Sequence, residues 1–202
     1  MGRLTREQSR ELTRERLRAS ALREISSAGF TAASIDRICE AAGFSRGAFY
    51  ANFASKEELL LDIMRSFHHR EADSWIALIG SELPMPEVMS LLQSRFREYL
   101  ADRDRILFVS EVQLYAKRNR GFLEKYLEDF RSVTPKAELV LEAIFAKVGK
   151  RPHRPLPELA GLMRGLFAGV AFDGCISWDG HSTGPDLLVV FLEDLLSMAQ
   201  PL

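Results

Sequence analysis

Apolar residues recur three and four positions apart from Leu17 to Met198, and no run of strict apolar–polar alternation interrupts them. That pattern excludes most folds, because a half-buried strand needs a period of two and an amphipathic helix one near 3.6. The expected class is all-α, with about nine helices and no sheet. Leu17, Ala21, Ile25 and Ala28 form the first stripe, stopped by Gly29. Ser34 precedes a short helix, Ile35–Ala42, ended by Gly43, and Ser45 begins another that reaches about Asn52. Ser55-Lys56-Glu57-Glu58 spells a capping box opening a long helix, Lys56–Ile79. After a break at 80–86, helices are expected over Glu87–Ala101, Arg103–Arg118 and Gly121–Val148, the last kinked or split at Thr134-Pro135. The proline-rich stretch 149–157 reads as a surface loop, and Glu158–Trp178 and Pro185–Ala199 complete the set.

Composition matters in four places. The net charge of −1 conceals an asymmetry: residues 1–56 carry +4 and residues 57–202 carry −5. A basic head on an acidic body suggests a polyanionic partner for the head, unless the distribution is simply a solvated surface. Two cysteines, Cys39 and Cys175, are too few for a disulfide framework or a four-thiolate zinc site, and read as core filler. The window Leu159–Trp178 is apolar, but Arg164 and Asp173 near its middle argue for a buried soluble helix and no membrane. The charged N-terminal stretch lacks a signal peptide's apolar core, so a cytoplasmic location is expected.

The informative segment is Ile35–Phe53. Two short helices are joined by Gly43-Phe44-Ser45, the length and composition of a helix-turn-helix turn. Ile35, Ile38, Cys39 and Ala42 supply a buried face, and Phe49 and Phe53 anchor the second helix against it. The positions left exposed carry Arg46, Gly47, Ala48, Tyr50, Asn52 and then Lys56, a set suited to nucleic acid; the bland alternative is a helical hairpin in a larger core.

From Gly29 to Leu59 the chain resembles the N-terminal DNA-binding domain of TetR-type transcriptional regulators, closely over about residues 12–65. Ala-Gly at 42–43, Ser-x-Gly at 45–47, Phe-Tyr-x-x-Phe at 49–53 and Ser-Lys-x-x-Leu at 55–59 carry the likeness, and Cys39 stands where the family commonly has alanine. The resemblance implies a homodimeric repressor released from a palindromic DNA operator by a small ligand. It also implies a three-helix head at 1–55 and a helical ligand-binding and dimerisation domain at 56–202.

Within the head, Ser45 is expected to cap the recognition helix and Arg46 to read a guanine edge. Gly47 permits close approach, and the Ala48 methyl suits a thymine methyl. Tyr50, Asn52 and Lys56 are expected at phosphates, with Ser34 and Arg37 gripping the backbone on the other side. Arg3, Arg6 and Arg10 read as a frayed terminus, with a basic arm as the alternative.

Within the body, Phe67, Trp75, Phe96, Tyr99, Phe108, Glu111, Tyr115, Phe130 and Phe167 are candidate lining for an inducer of unknown identity, or plain core. The stripe Gly161, Gly165 and Gly169, with Leu188, Phe191, Leu192 and Leu195 on a last helix apolar nearly all round, suggests a four-helix dimer interface; an intramolecular core is the alternative. No catalytic motif, metal set or cofactor loop is present: His68-His69 are adjacent and diverge, and His181 with Asp173 and Asp179 reads as a polar turn. Control by a protein partner, or a helical carrier or enzyme, are the competing functions.

Overall fold

In the computed structural model, which describes residues 5–173 and 184–201, the first helix starts earlier than its apolar stripe. Helix α1 spans Arg6–Ala28 because Thr5 and Gln8 close a reciprocal capping box, so Arg6 and Arg10 lie on an ordered helix and not a frayed end. Gly29 stops it at φ 79°, a value that disfavours any side chain, with its N–H on the Ile25 carbonyl. Helix α2 (Ile35–Ala42) is capped by Ser34, and Gly43 ends it in the left-handed region. The Gly43 N–H bonds the Glu40 carbonyl and the Phe44 N–H the Cys39 carbonyl, which closes the last turn as a Schellman motif. Helix α3 is one short segment, Arg46–Tyr50. Helix α4 spans Lys56–Ile79; Ser55 Oγ accepts from the Glu58 N–H, while Glu58 reaches one residue further back than expected, to the Ala54 N–H at 2.6 Å.

Helices α5 (Met85–Ala101), α6 (Arg103–Arg118), α7 (Arg120–Lys147), α8 (Leu156–Asp173) and α9 (Gly184–Ser197) complete nine helices among the described residues. α5 and α8 each start two residues before their expected ends, since proline fits the first helical turn. α7 is continuous through Pro135, so the expected split does not occur. The class is all-α as expected, with one correction to the absence of any sheet. Residues Lys150–Arg151 (β1) and Gln200–Pro201 (β2) pair antiparallel, which ties the proline-rich loop to the chain's last described residues. The end of the expected helix at 174–178, Cys175, and the turn bearing Asp179 and His181 lie outside the described residues. No helix among those described is long and apolar enough to cross a membrane.

Packing divides the chain into two units. The first holds Met1–Ser66 with Arg103–Asp129, and the second Phe67–Asp102 with Phe130–Leu202. In the first, α1 packs on both α2 and α6, and Leu17, Ile25, Ile38, Phe49, Phe53, Leu59 and Phe108 are fully buried. In the second, α5 and α8 pack on α9 around Leu92, Phe96, Ile144, Leu188 and Leu192. α4 and α7 each run through both units. The division adds α6 and the start of α7 to the expected head.

Candidate nucleic-acid interface

The short helix α3 owes its position to long side chains on its neighbours. Arg14 of α1 donates to the Asn52 carbonyl at 2.8 Å, lies 4.3 Å from the Phe53 ring centroid, and pairs with Asp62 of α4 at 2.6 Å. Arg18 donates to the other Asp62 oxygen at 2.6 Å, so one largely buried carboxylate fastens two arginines of α1. Ser20, buried on the same helix, donates to the Ile38 carbonyl at 2.8 Å. Ion pairs removed from water hold only when each oxygen is satisfied, as both Asp62 oxygens are. This clamp joins α1 to α2 and to the α3–α4 turn.

The expected surface is laid over that frame. Ser34 Oγ accepts from the Arg37 N–H and Ser45 Oγ from the Ala48 N–H, both at 3.2 Å, so each serine caps its helix. Arg37 stays 61% exposed with its Nε 3.0 Å from Glu24. Arg46 is also exposed, yet not free: Nη1 donates to both Asp36 carboxylate oxygens at 3.1 Å, and Nη2 reaches Tyr50 Oη at 3.4 Å. The hydrogen bond to Tyr50 and the charge of Asp36 raise its pKa further, so it is permanently cationic. Tyr50 is half exposed. A Cβ added to Gly47 would meet only Ser45 Oγ at 3.6 Å, an ordinary contact, so no packing among the described residues requires glycine there.

Two expected phosphate ligands are engaged inside the protein. Lys56 Nζ donates to the Phe30 and Ala33 carbonyls, each at 2.6 Å, and sits 4.2 Å from the Phe30 ring centroid. Burial pushes its pKa down, and its task is to close the α1–α2 loop. Asn52 Nδ2 donates to the Ala48 carbonyl at 2.8 Å, ending α3. Apolar periodicity does not point to Asp36, Arg14, Arg18 or Asp62, nor to a groove of about 680 Å3 lined by Arg6, Glu7, Ser9, Arg10, Thr13, Ala51 and Asn52. The capping box at Thr5-Arg6-Glu7-Gln8 was the available signal for that groove's first wall.

The candidate pocket residues fall in two places. Trp75, Phe96, Tyr99 and Phe167 form one aromatic cluster in the second unit, with Phe167 4.5 Å from Phe96 and 4.8 Å from Tyr99 between centroids. Phe130 packs edge-on against His68 and under Arg164, and Phe67 is half-buried beside them in sequence on α4. Phe108, Glu111 and Tyr115 belong to the first unit. Glu111 accepts the Phe30 N–H at 2.9 Å, and Tyr115 packs 4.2 Å from Phe30. Tyr115 donates its hydroxyl to Glu57 at 2.6 Å, which pushes its pKa up to about 12.

The candidate interface residues also divide. Among the described residues, an added Cβ at Gly165 or Gly169 meets nothing, and at Gly161 only the end of Arg164. Leu188, Leu192 and Leu195 are instead buried in their own unit, because they form the inward face of α9, and Phe191 is half-buried. The apolar residues left outward are Leu162, Leu187 and Val190.

A capped pair of short helices joined by a glycine turn, its apolar side buried and its polar side exposed, is a helix-turn-helix of the DNA-binding class. Residues 17–63 match the family of bacterial regulatory proteins, tetR family. Among relatives, the HTH-type transcriptional regulator YerO of Bacillus subtilis (strain 168) is 23% identical over 195 residues, covering 91% of this chain and 64% of YerO. YdgC, an HTH-type transcriptional regulator of the same organism, is 38% identical over 58 residues, covering 29% of this chain and 30% of its own length. The chain thus spans under two thirds of these relatives. Among solved structures, the transcriptional regulator FadR from Bacillus subtilis in complex with stearoyl-CoA superposes with a TM-score of 0.70 at 16% identity, covering 91% of this chain and 97% of FadR. That likeness establishes the fold.

Proposed function

We propose that this chain is a sequence-specific DNA-binding transcriptional regulator, a cytoplasmic homodimeric repressor released from a palindromic operator by a small, largely apolar ligand. The observation that carries the reading is the exposed row Arg37, Arg46, Gly47 and Tyr50, set by a buried clamp on a helix-turn-helix whose Gly47 answers to no packing demand among the described residues. A residue kept small without an internal reason suits close approach by an outside surface. Arg46 is the base-reading residue and Arg37 and Tyr50 are backbone contacts; Lys56 and Asn52 act indirectly, Lys56 by closing the α1–α2 loop and Asn52 by ending α3.

Two further observations support the finer parts. The open glycine stripe of α8 beside outward Leu162, Leu187 and Val190 suits a second copy, since two-fold operators call for two heads. Trp75, only 7% exposed, buries an indole N–H with no acceptor inside the aromatic cluster, and a ligand oxygen would satisfy it. FadR was solved with stearoyl-CoA, which joins a long apolar acyl chain to a polar group rich in such acceptors. α4 places Leu59 and Ile63 in the first unit and Trp75 and Ile79 in the second, so a ligand at Trp75 acts on a helix the DNA-reading unit shares. Such a ligand weakens binding only through different affinities for two arrangements, by about 5–150-fold for ordinary coupling.

The experiment is selection of duplexes from a randomised pool, followed by binding isotherms for the selected duplex and a scrambled one. The parent chain is expected to prefer the selected duplex by about 10^3-fold or more. Arg46→Ala is expected to relax one base pair per half-site at about 1–3 kcal/mol. Equal affinity of the parent for both duplexes would overturn the reading.

A further inference from the structure

We propose that Asp36 is a selectivity-determining residue of the DNA-reading surface, acting by holding the Arg46 guanidinium in an ion pair that phosphates cannot use freely. The inference rests on the DNA-reading role of α3 proposed above. Asp36 lies in the first turn of α2, ten residues before Arg46, and the glycine turn brings the two side chains together. Both carboxylate oxygens take the same Nη1 at 3.1 Å, Tyr50 Oη takes Nη2 at 3.4 Å, and the Tyr50 ring lies 5.9 Å below the guanidinium. Two helices therefore confine one long cation whose side chain is 58% exposed, with its anionic partner 64% exposed on the same surface.

That arrangement treats phosphates and base edges differently. A phosphate is drawn by net charge, and at this point it meets a neutralised pair and an exposed carboxylate that repels it. A guanine edge is neutral and offers two acceptors in a fixed plane, so it is recognised by donor geometry. Tethering Arg46 to Asp36 removes much of its indiscriminate attraction and keeps its donors in one region. The carboxylate thus works against the wrong sites more than against the right one, which is how selectivity is raised without new attractive contacts. Lys56 and Arg14 do not serve this purpose, since both are committed to carbonyls and carboxylates inside the chain.

The test compares the parent, Asp36→Asn, Arg46→Ala, the double variant and Glu40→Gln on the selected and scrambled duplexes across salt concentrations. Glu40→Gln removes another exposed negative charge from the same helix and controls for bulk charge. Asp36→Asn is expected to tighten binding to the scrambled duplex, steepen its salt dependence by about one ion, and lower the preference for the selected duplex about fivefold or more. Glu40→Gln is expected to leave that preference unchanged. In the Arg46→Ala background, Asp36→Asn is expected to leave the remaining preference unchanged, because the effect runs through the pair. A parent-like preference in Asp36→Asn, or an equal fall with and without Arg46, overturns the inference while the DNA-reading proposal stands. A parent that prefers no duplex overturns both.

Discussion

Replacing Lys56 by methionine separates an internal strut from a phosphate ligand. The ammonium donates to the Phe30 and Ala33 carbonyls at 2.6 Å each and lies 4.2 Å from the Phe30 ring. A charged donor contributes about 1.5–3 kcal/mol per hydrogen bond, and the ring contact adds about 0.5–1. Against this stands the cost of partly burying the ammonium, which is what lowers its pKa. Methionine keeps most of the stem packed but leaves two carbonyls without their donor. The net expected loss is about 2–3 kcal/mol, or about 5–10 °C in melting temperature for a chain of this size. Urea unfolding followed by circular dichroism should show a lower midpoint with an unchanged slope. The salt dependence of duplex binding should keep its slope, because no phosphate contact is removed. Unchanged stability with a salt slope smaller by about one ion would refute the reasoning and restore Lys56 to the phosphate backbone.

Burial, and then His69, hold the His68 imidazole at a pKa of about 4, below its ordinary 6.5. A folded value below the unfolded one gives stability that is complete above about pH 6.5 and lost as pH falls through about 4, on the order of 2–3 kcal/mol in all; His68→Leu should flatten that part of the pH profile in urea midpoints. Gly165→Leu adds a side chain where the single chain has open space, so its helix content should be unchanged while sedimentation shows monomer at micromolar concentration. A variant that remains fully dimeric would move the interface off the glycine stripe. Gly29→Ala, forced to φ 79° with a Cβ 3.3 Å from Glu111 Oε2, should lose about 1–2 kcal/mol of folding stability. Gly47→Ala should fold at least as well, with about 1 kcal/mol gained from helix propensity, yet bind duplex more weakly.

Helices are legible where a local signal marks both ends, as at Ser34 and Gly43 or at Ser55 and the turn after Ile79. The early start of α1 is equally local, since Thr5-Arg6-Glu7-Gln8 spells its own cap, although the apolar stripe begins only at Leu17. Pro135 does not break α7, which shows a proline's local cost being outweighed within a long helix. Side-chain partners across 23 to 81 residues are a different matter. Lys56 pairing with Phe30 and Ala33, or Glu111 with Phe30, depends on how α4 and α6 dock on α1, which no periodicity encodes. The same docking moves Phe108, Glu111 and Tyr115 into the DNA-reading unit. On α9, the apolar total was plain, but which of its faces is already covered required the fold.

In the proposed function, two copies of this chain read two half-sites of one duplex. Hydroxyl-radical footprinting of the selected duplex tests it most directly, because it reports symmetry and spacing together. Two protected patches related by a two-fold axis are expected, with centres about 34–36 Å apart or a multiple of that, and both patches should be lost together in Gly165→Leu at low concentration. A single asymmetric patch that survives in Gly165→Leu, or protection indifferent to sequence, would contradict it.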